Sequence, residues 1–278
     1  MDGIEQIIRL ALAEDSGLGD ITSESILSRP RKGRGRIKAK QELILAGSGV
    51  AVQVFRILDP LADIRFLFQD GDAIQSGDVL MEIEGDLLAL LKGERVALNF
   101  LQRLSGIATL TRTFVDHLEN EQVRLTDTRK TTPGWRALEK EAVRAGGGYN
   151  HRFALYDGIL IKDNHIAVAG GIREAVDAVR ERTSHLMKVE VEVTCMDEVR
   201  QALDAGADVI MLDNMSLEEM TTATGVIKDT SRGRVVVEAS GNVSLESLNP
   251  IADTGVDVIS CGALTHQARS VDLSMSIE

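Results

Sequence analysis

The chain has 278 residues, 44% of them hydrophobic and only 3% aromatic, so it is long enough for a large core and for more than one domain. Its net charge of −12 and pI near 5.0 argue against a nucleic-acid-binding protein, which would display a basic surface. No apolar run reaches the roughly 18 residues that a membrane span needs. The two cysteines, Cys195 and Cys261, are far apart and no signal peptide is visible, so we expect a cytoplasmic protein without disulfides.

The first third of the chain mixes helices with short strands. Residues 4–14 have apolar side chains at helical spacing, 34–46 predict a strand pair, and 50–58 predict a short helix. The Gly-Asp turns within 71–78 are similar to those of lipoyl and biotinyl carrier domains, but no lysine is displayed there to hold a prosthetic group. We therefore expect a small β-rich architecture that such carriers share.

Two further segments of this region have open interpretations. The loop EDSGLGDIT at 14–22 is either a shaped functional loop or ordinary turn chemistry. From Leu87 the chain turns helical, and we expect Gly106 to break or bend the run before 107–119. Arg95 lies in this helix, either as a surface residue or as part of a site.

After Arg124 the pattern changes to alternating strands and helices. Candidate strands are 123–127, 158–162, 188–193, 208–212, 234–239 and 256–260, and candidate helices lie near 134–145, 171–183, 196–205, 216–228 and 244–253. Short connections and right-handed crossovers favour a parallel sheet. Six strands predict an incomplete or irregular parallel α/β barrel of the TIM type rather than a regular eightfold one.

These elements predict two domains. Residues 1–110 should form a smaller N-terminal α+β sandwich domain, joined by the C-terminal segment 265–278. Residues 111–264 should form the barrel domain, which carries the active site because polar residues collect at its strand ends.

Residues 124–165 form a positive island in the acidic chain. They contain eight Lys or Arg against five Asp or Glu, which leaves −15 for the rest of the protein. A solvated helix face explains Arg136, Lys140 and Arg144, which are four residues apart. It does not explain the basic residues at strand ends and in glycine-rich turns, which favour a site for an anionic small molecule.

Each predicted barrel strand ends in polar groups. They are Asp127, Thr128, Arg129 and Lys130 after the first strand, Lys162 to His165 after the second, Glu190 and Glu192 within the third, Asp213 and Asn214 after the fourth, Glu238 and Ser240 to Asn242 after the fifth, and Ser260 to Ala263 after the sixth. Asp213 and Asn242 could each be a simple helix cap. Convergence of all six strand ends on one face nevertheless indicates an active site.

The residue types indicate the chemistry. Arg129, Arg152 and Lys162 suit a carboxylate or phosphate. Backbone N–H groups at Ser240, Gly241 and Asn242, and at Cys261, Gly262 and Ala263, suit a phosphate, since each run precedes a helix. Glu192 and Asp213 are oxygen donors that could hold Mg²⁺ between substrate phosphates. The Cys261 thiol has no evident activating neighbour, so we expect it to be inert.

The longest motif is DTRKTTPG-x-x-x-LEK-x-AV-x-x-GGG-x-NHR, followed by LIKDNHI. It resembles quinolinate phosphoribosyltransferase, also called nicotinate-nucleotide pyrophosphorylase (carboxylating). The likeness extends over almost the whole chain through EDSGLGDIT, GERVALNFLQRLSGIAT, VEVEV, IMLDNM, VVVEASGN, ISCGALTH and DLSMSI. Departures are Trp135, Glu141 and Cys261, where the family usually has a smaller apolar residue, an aromatic residue and valine.

The resemblance implies transfer of phosphoribosyl from phosphoribosyl pyrophosphate (PRPP) to quinolinate, with release of CO₂ and pyrophosphate, giving nicotinate mononucleotide for NAD biosynthesis. It implies that quinolinate carboxylates are bound by Arg95, Arg129, His151, Arg152 and Lys162. It also implies that Lys130, Glu192 and Asp213 act catalytically on PRPP and its Mg²⁺, that Thr128 lies in the substrate site, and that Ser240–Asn242 and Cys261–Ala263 hold the 5′-phosphate. The family further implies a homodimer with shared active sites, or a higher oligomer, in which Arg95 reaches the neighbouring subunit's site.

Three alternatives remain at this point. A paralogue associated with molybdate-uptake operons has the same fold and a different substrate. A Schiff-base aldolase would use Lys130, Lys162 or Lys188. A carrier or binding module would be built on residues 40–85.

Overall fold

The computed structural model describes residues 3–278, which divide into two compact units. The first unit contains the chain up to Arg112 together with 131–147 and 267–278, and the second contains 113–130 and 148–266. The C-terminal segment therefore joins the N-terminal unit. Residues 131–147 also belong to the N-terminal unit, whereas the predicted boundary between residues 110 and 111 placed them in the barrel domain.

The helices and strands follow in chain order: α1 (Gly3–Ser16), α2 (Ile21–Ile26), β1 (Lys32–Ala39), β2 (Leu43–Ile44), α3 (Ser48–Leu58), β3 (Asp63–Phe66), β4 (Ala73–Ile74), β5 (Val79–Asp86), α4 (Leu87–His117), β6 (Arg124–Thr126), α5 (Arg136–Ala145), β7 (Ile159–Ile161), α6 (Asp163–Ala169), α7 (Ile172–Arg182), β8 (Val189–Val193), α8 (Met196–Asp204), β9 (Val209–Asp213), α9 (Leu217–Ser231), β10 (Val236–Ser240), α10 (Leu245–Ala252), β11 (Val258–Ser260), α11 (Ala263–His266) and β12 (Leu273–Ile277).

The first unit contains an antiparallel sheet in the order β12-β1-β5-β3. The predicted strand pair within 34–46 is wrong, because β1 pairs with β5 and β12 whereas β2 pairs with β4 in a separate two-stranded sheet. The partner of β1 comes from the far end of the chain, with Gly35 opposite Ile277. Local alternation predicts a strand but cannot name such a distant partner.

Helix α4 is continuous from Leu87 to His117, so the predicted break at Gly106 is wrong. A Cβ at Gly106 would collide with the carbonyl oxygen of Arg269 in the C-terminal segment of the same unit. The glycine therefore permits close packing of the backbone. In the loop at 14–22, the Asp20 side chain accepts a hydrogen bond from Ser23 N–H and caps α2, as turn chemistry requires.

The second unit contains a six-stranded parallel sheet in the order β6-β11-β10-β9-β8-β7. Successive strands are neighbours except β6 and β7, so the order is that of an α/β barrel opened between its first two strands. Val191, Ile210, Val237 and Ile259 are fully buried in these strands. This confirms the predicted incomplete parallel barrel with a separate N-terminal α+β domain.

Because the six strands are parallel, their carboxyl ends lie at one edge of the sheet. Within β8, Glu190 and Glu192 alternate with buried valines, so both point to the opposite face from those valines. The polar residues that end the strands are thus brought to one place. Within residues 3–278, no helix has the length and apolarity needed to cross a membrane.

Candidate active site

A cleft of about 550 Å³ lies in the second unit at the carboxyl ends of the strands. Eleven of the predicted site residues line it: Thr128, Arg129, Lys130, His151, Arg152, Lys162, Glu192, Asp213, Ser240, Gly241 and Asn242. Leu160, Met211, Asn214 and Ser260 complete the lining. The structure therefore brings the ends of all six parallel strands, together with His151 and Arg152, to one cleft.

Four predicted residues are not among those that line the cleft. Arg95 is an exposed residue of α4 in the first unit. The Cys261 side chain is buried with its Sγ 3.7 Å from Val243 O, and its backbone N–H donates to Thr126 O. This removes the Cys261 N–H from the predicted phosphate contacts, because that group is already used between β11 and β6.

Gly262 and Ala263 lie beside the cleft rather than in its lining. A Cβ at Gly262 would lie 3.0 Å from the Lys130 Cδ and 3.1 Å from His266 Nε2, so glycine leaves room for the Lys130 side chain. Burial raises the pKa of the Cys261 thiol, which keeps it protonated and agrees with the expectation of an inert cysteine.

Lys130 is held through its backbone. Its N–H donates to Thr128 Oγ1 at 3.0 Å, and its carbonyl oxygen accepts from Thr265 Oγ1 at 2.8 Å. The neighbouring Arg129 has a buried Nε without a hydrogen-bond partner among the described residues. A buried guanidinium N–H in this state is costly unless a ligand accepts it.

Arg152 lies close enough to Arg129 for the two cations to repel. Burial, and then the charge of Arg129, lower the pKa of Arg152. The Arg152 guanidinium also donates to the carbonyl oxygen of Gly158 at 2.8 Å, which fixes one of its ends. An anion between the two guanidinium groups would relieve this repulsion and satisfy the Arg129 Nε, so the pair is suited to bind a carboxylate.

Lys162 and Glu192 form an ion pair in the cleft. The Glu192 side chain is 13% exposed and that of Lys162 is 43% exposed, so only the lysine is well solvated. Lys162 N–H donates to His165 Nδ1 at 3.0 Å, which fixes the turn that leads from β7 into α6. Helix α6 was not predicted, since its seven residues are too few for a helical pattern to emerge.

Asp213 is joined to the Ser240–Asn242 loop through Asn214. The Asn214 amide donates to Asp213 Oδ2 at 2.9 Å and accepts from Asn242 Nδ2 at 3.1 Å. Asn214 and Asn242 both have positive φ, 53° and 47°, and a Cβ at Gly241 would collide with the Asn214 side chain. Asn214 was named only as a strand-end residue, and its bridging position depends on contacts that the sequence does not display.

Asp213 and Asn242 are not helix caps. The cap of α9 is Ser216 and that of α10 is Ser244, each of which accepts a hydrogen bond from a backbone N–H three residues later. The capping alternative is therefore wrong for both residues, and their side chains stay at the cleft.

Glu192 and Asp213 were predicted to bind Mg²⁺. Both line the cleft and both offer carboxylate oxygens, the donor type that Mg²⁺ prefers. Two protein carboxylates fit a Mg²⁺ ion whose remaining ligands are water and substrate phosphates. The residues present are therefore compatible with the ion.

A buried cluster of His151, Glu190 and Glu238 was not predicted. His151 Nε2 lies 3.3 Å from Glu190 Oε2 and 3.5 Å from Glu238 Oε1. Burial lowers the pKa of His151, but the contacts with Glu190 and Glu238 raise it by more than burial lowers it, so the pKa is about 10. The only signal in the sequence was the alternation of Glu with Val in β8, which pointed to a functional strand without naming the partners.

Proton positions in this cluster follow from its hydrogen bonds. His151 Nδ1 accepts the Arg152 N–H at 2.8 Å, which requires a lone pair on Nδ1 and places the ring proton on Nε2. Burial also raises the pKa of Glu190, which favours the neutral form of that carboxyl group. The three donor atoms, one each from His151, Glu190 and Glu238, lie within 4.8 Å of one another.

Family models match both parts of the chain. The model for the quinolinate phosphoribosyl transferase C-terminal domain matches residues 107–276, and that for the N-terminal domain matches 20–105. The chain belongs to the quinolinate phosphoribosyltransferase family. This confirms the resemblance drawn from the DTRKTTPG and LIKDNHI motifs.

Individual members of this family are similar over nearly their full length. A protein of Bacillus subtilis (strain 168) described as a probable nicotinate-nucleotide pyrophosphorylase [carboxylating] is 47% identical over 99% of this chain and 93% of its own. A mitochondrial quinolinate phosphoribosyltransferase [decarboxylating] 2b of Nicotiana tabacum is 39% identical over 99% of this chain and 82% of its own. The solved nicotinate-nucleotide pyrophosphorylase of Francisella tularensis superposes with a TM-score of 0.93 at 41% identity, covering 100% of this chain and 96% of that one.

Proposed function

We propose that the cleft of the second unit is the site at which this enzyme transfers phosphoribosyl from PRPP to quinolinate. The protein is a phosphoribosyltransferase of NAD biosynthesis, a carboxylating nicotinate-nucleotide pyrophosphorylase that yields nicotinate mononucleotide, CO₂ and pyrophosphate. The observation that carries the assignment to this cleft is the pair of neighbouring guanidinium groups of Arg129 and Arg152. The buried Nε of Arg129 has no hydrogen-bond partner in the part of the chain that the structure describes. Such a pair favours an anionic substrate.

The two ends of the cleft suit the two substrates. Arg129, Arg152 and Lys162 would hold the carboxylates of quinolinate, and Lys130 would hold the pyrophosphate of PRPP. Ser240, Gly241 and Asn242 would receive the 5′-phosphate on their backbone N–H groups, since consecutive positive φ values at Gly241 and Asn242 form a concave anion-binding turn.

The first chemical step forms a bond between the quinolinate nitrogen and ribose C1 and breaks the bond from C1 to pyrophosphate oxygen, which leaves with the electron pair. Positive charge develops at C1, and the carboxylates of Glu192 and Asp213 line the same cleft where they would stabilise it. Preorganised charge of this kind is usually the largest catalytic contribution. Lys130 would stabilise the leaving pyrophosphate, and Mg²⁺, when bound, would neutralise part of its charge.

The second step breaks the bond between the ring and the adjacent carboxylate, releasing CO₂. The electron pair stays on the ring carbon, where the neighbouring nitrogen, now alkylated and cationic, stabilises it until a proton is added. The enzyme only has to hold that carboxylate in place and away from water, so no further cofactor is required.

The alternatives have less support. The relatives named above are described by the carboxylating pyrophosphorylase or quinolinate reaction, which favours quinolinate over the substrate of the molybdate-operon paralogue. Lys162 is ion-paired with Glu192 and therefore charged, which does not favour an aldolase amine. The turn between β4 and β5, at Gln75–Asp78, displays no lysine for a carrier function.

A homodimer with shared active sites, in which Arg95 of a second copy completes the cleft, is part of the proposal. It is supported by the exposure of Arg95 on α4. A cytoplasmic location is proposed from the cysteine content alone.

The deciding experiment is quinolinate-dependent release of pyrophosphate by the purified protein with PRPP and Mg²⁺, together with release of labelled CO₂ from carboxyl-labelled quinolinate. We expect both products in equal amounts. Pyrophosphate without CO₂, or no reaction with quinolinate, would contradict the proposed function.

The role of Mg²⁺ is tested separately with EDTA. Activity should disappear in chelator and return with added Mg²⁺, and Glu192→Gln and Asp213→Asn should each need more Mg²⁺ for half-maximal activity. Full activity of metal-free protein with metal-free PRPP would remove this role from both carboxylates.

A further inference from the structure

The proposed reaction assigns no role to Glu190 and Glu238. Their side chains are 10% and 5% exposed, and each has an Oε1 without a hydrogen-bond partner among the described residues. Burying two carboxylates this close together is unfavourable, and apolar residues of similar volume commonly give equal or greater stability. Their presence below the cleft therefore calls for a reason other than stability.

Glu190 and Glu238 lie deeper in the sheet than the residues that line the cleft. Each stands two residues before a lining residue on the same face of its own strand, Glu190 before Glu192 and Glu238 before Ser240. Both glutamates are buried, and neither lines the cleft. We call this pair, which lies towards the amino ends of the strands, the lower layer.

His151 connects this lower layer to the cleft. Its Nε2 faces Glu190 and Glu238, its Nδ1 accepts the Arg152 N–H, and its own backbone N–H donates to Asp127 Oδ1 at 2.9 Å. With both ring nitrogens engaged by the protein, the imidazole is placed to support the backbone at Arg152 rather than to hydrogen-bond a substrate.

We propose that Glu190 and Glu238 are positioning residues for quinolinate: by holding the His151 ring from below, they fix the backbone from which the Arg152 guanidinium reaches into the cleft. This inference rests on the proposed function of the cleft. It assigns to His151 a supporting role in place of the direct carboxylate contact that the family resemblance implied.

The test compares alanine and glutamine at position 190 with alanine at position 238. Glu190→Ala and Glu238→Ala each remove a carboxyl group that contacts the imidazole, and we expect each to raise the KM for quinolinate by about tenfold, the order of magnitude for loss of one charged partner. The KM for PRPP should change by less than about threefold, since Lys130 and the Ser240–Asn242 loop are held by other contacts. Glu190→Gln keeps an oxygen that can accept the Nε2–H and should restore the quinolinate KM to within about threefold of wild type.

The matched control is Asp257→Asn. Asp257 lies before β11 in the same unit, where its carboxylate accepts from Lys228 Nζ at 2.9 Å and from Val237 N–H at 2.8 Å. Its replacement should lower the Tm and leave both KM values unchanged. If the alanine variants do not fold, Glu190→Asp, which retracts the carboxylate by one methylene, gives the same comparison.

Direct binding of phthalate, measured by calorimetry, separates the inference from the proposed function. If wild type turns over quinolinate and the alanine variants bind phthalate about tenfold more weakly, both stand. If wild type turns over quinolinate and the alanine variants keep the wild-type KM and phthalate affinity, the positioning role is wrong while the function stands. Failure of wild type to use quinolinate would overturn the function first, and the inference with it.

Discussion

Lys162 and Glu192 form an ion pair between the neighbouring strands β7 and β8, and both side chains line the cleft. In the proposed function, Lys162 binds a quinolinate carboxylate and Glu192 acts on PRPP. This ion pair therefore connects the binding sites of the two substrates. A quinolinate carboxylate must compete with Glu192 for the lysine. Binding of quinolinate to Lys162 therefore changes how far the charge of Glu192 is available to act on PRPP.

This link predicts non-additive kinetics. Lys162→Ala should raise the KM for quinolinate, Glu192→Gln should lower kcat, and the double variant should lose at least about threefold less kcat/KM than the product of the two single losses, because contacting residues couple. The measurement is a double-mutant cycle on kcat/KM under saturating PRPP. Strictly multiplicative losses would show that the ion pair has no part in the reaction.

Replacing Arg129 and replacing its neighbour Lys130 should affect the use of different substrates. Loss of a charged hydrogen-bonding partner costs about 1.5–3 kcal/mol, or roughly ten- to a hundredfold in binding. We expect Arg129→Ala to raise the KM for quinolinate, because its buried Nε has no hydrogen-bond partner within residues 3–278, and Lys130→Ala mainly to impair the use of PRPP. Steady-state kinetics with each substrate varied in turn measures the split, with circular dichroism to confirm that both variants are folded. Wild-type kinetics in both variants would move the active site away from this segment.

Arg95 should act across a subunit interface. Mixing inactive Arg95→Ala protein with inactive Lys130→Ala protein should restore about a quarter of wild-type activity at equal amounts, because half of the dimers are mixed and each has one intact site. Subunit exchange has to be shown independently by native mass spectrometry. Exchange without recovered activity would mean that Arg95 serves its own chain or neither site.

The cluster around His151 predicts a pH-dependent stability. The pKa of His151 is raised from 6.5 to about 10 in the folded protein. Since Nδ1 keeps its lone pair, the folded cluster as a whole, through Nε2 and the two carboxyl groups, binds a proton that the unfolded state releases. The stabilisation is complete below pH 6.5 and is lost as the pH rises towards 10, and the raised pKa of Glu190 acts in the same direction. The Tm difference between wild type and His151→Asn should therefore be largest near pH 6 and shrink by pH 10. A constant difference across this range would show that the cluster does not hold the proton.

Local sequence pattern was sufficient for the barrel and much of the cleft. Strand β9 is a short apolar run and β8 alternates valine with glutamate, each between helices. The parallel order then places residues such as Glu192 and Asp213 at one edge. What the pattern could not give depends on contacts between distant segments. A side chain at position 106 would collide with the backbone of Arg269, and the Cys261 N–H donates to the carbonyl oxygen of Thr126.

The buried cluster shows the same limit. His151, Glu190 and Glu238 come from three segments and meet only when β8 and β10 flank β9. From the sequence, the family resemblance implied that His151 is a quinolinate ligand. Its two ring nitrogens are instead directed to the protein, a fact that only the folded geometry contains.

Substrate choice provides the last prediction. With His151 engaged, the cations left for an aromatic diacid in the cleft are Arg129, Arg152 and Lys162, with Arg95 of a second copy. A monoacid such as nicotinate would leave part of this set desolvated and unpaired, which is costly. A site built to hydrogen-bond a group typically rejects the analogue that lacks it by about 10⁴–10⁵.

Nicotinate also lacks the carboxylate whose loss completes the reaction. We therefore expect turnover of quinolinate with PRPP, no measurable turnover of nicotinate, and competitive inhibition against quinolinate by phthalate, a diacid without the ring nitrogen. Initial rates with each compound, and phthalate inhibition at several quinolinate concentrations, provide the measurement. A kcat/KM for nicotinate comparable to that for quinolinate would contradict the dicarboxylate site, because the two arginines and the lysine would then be satisfied by one carboxylate.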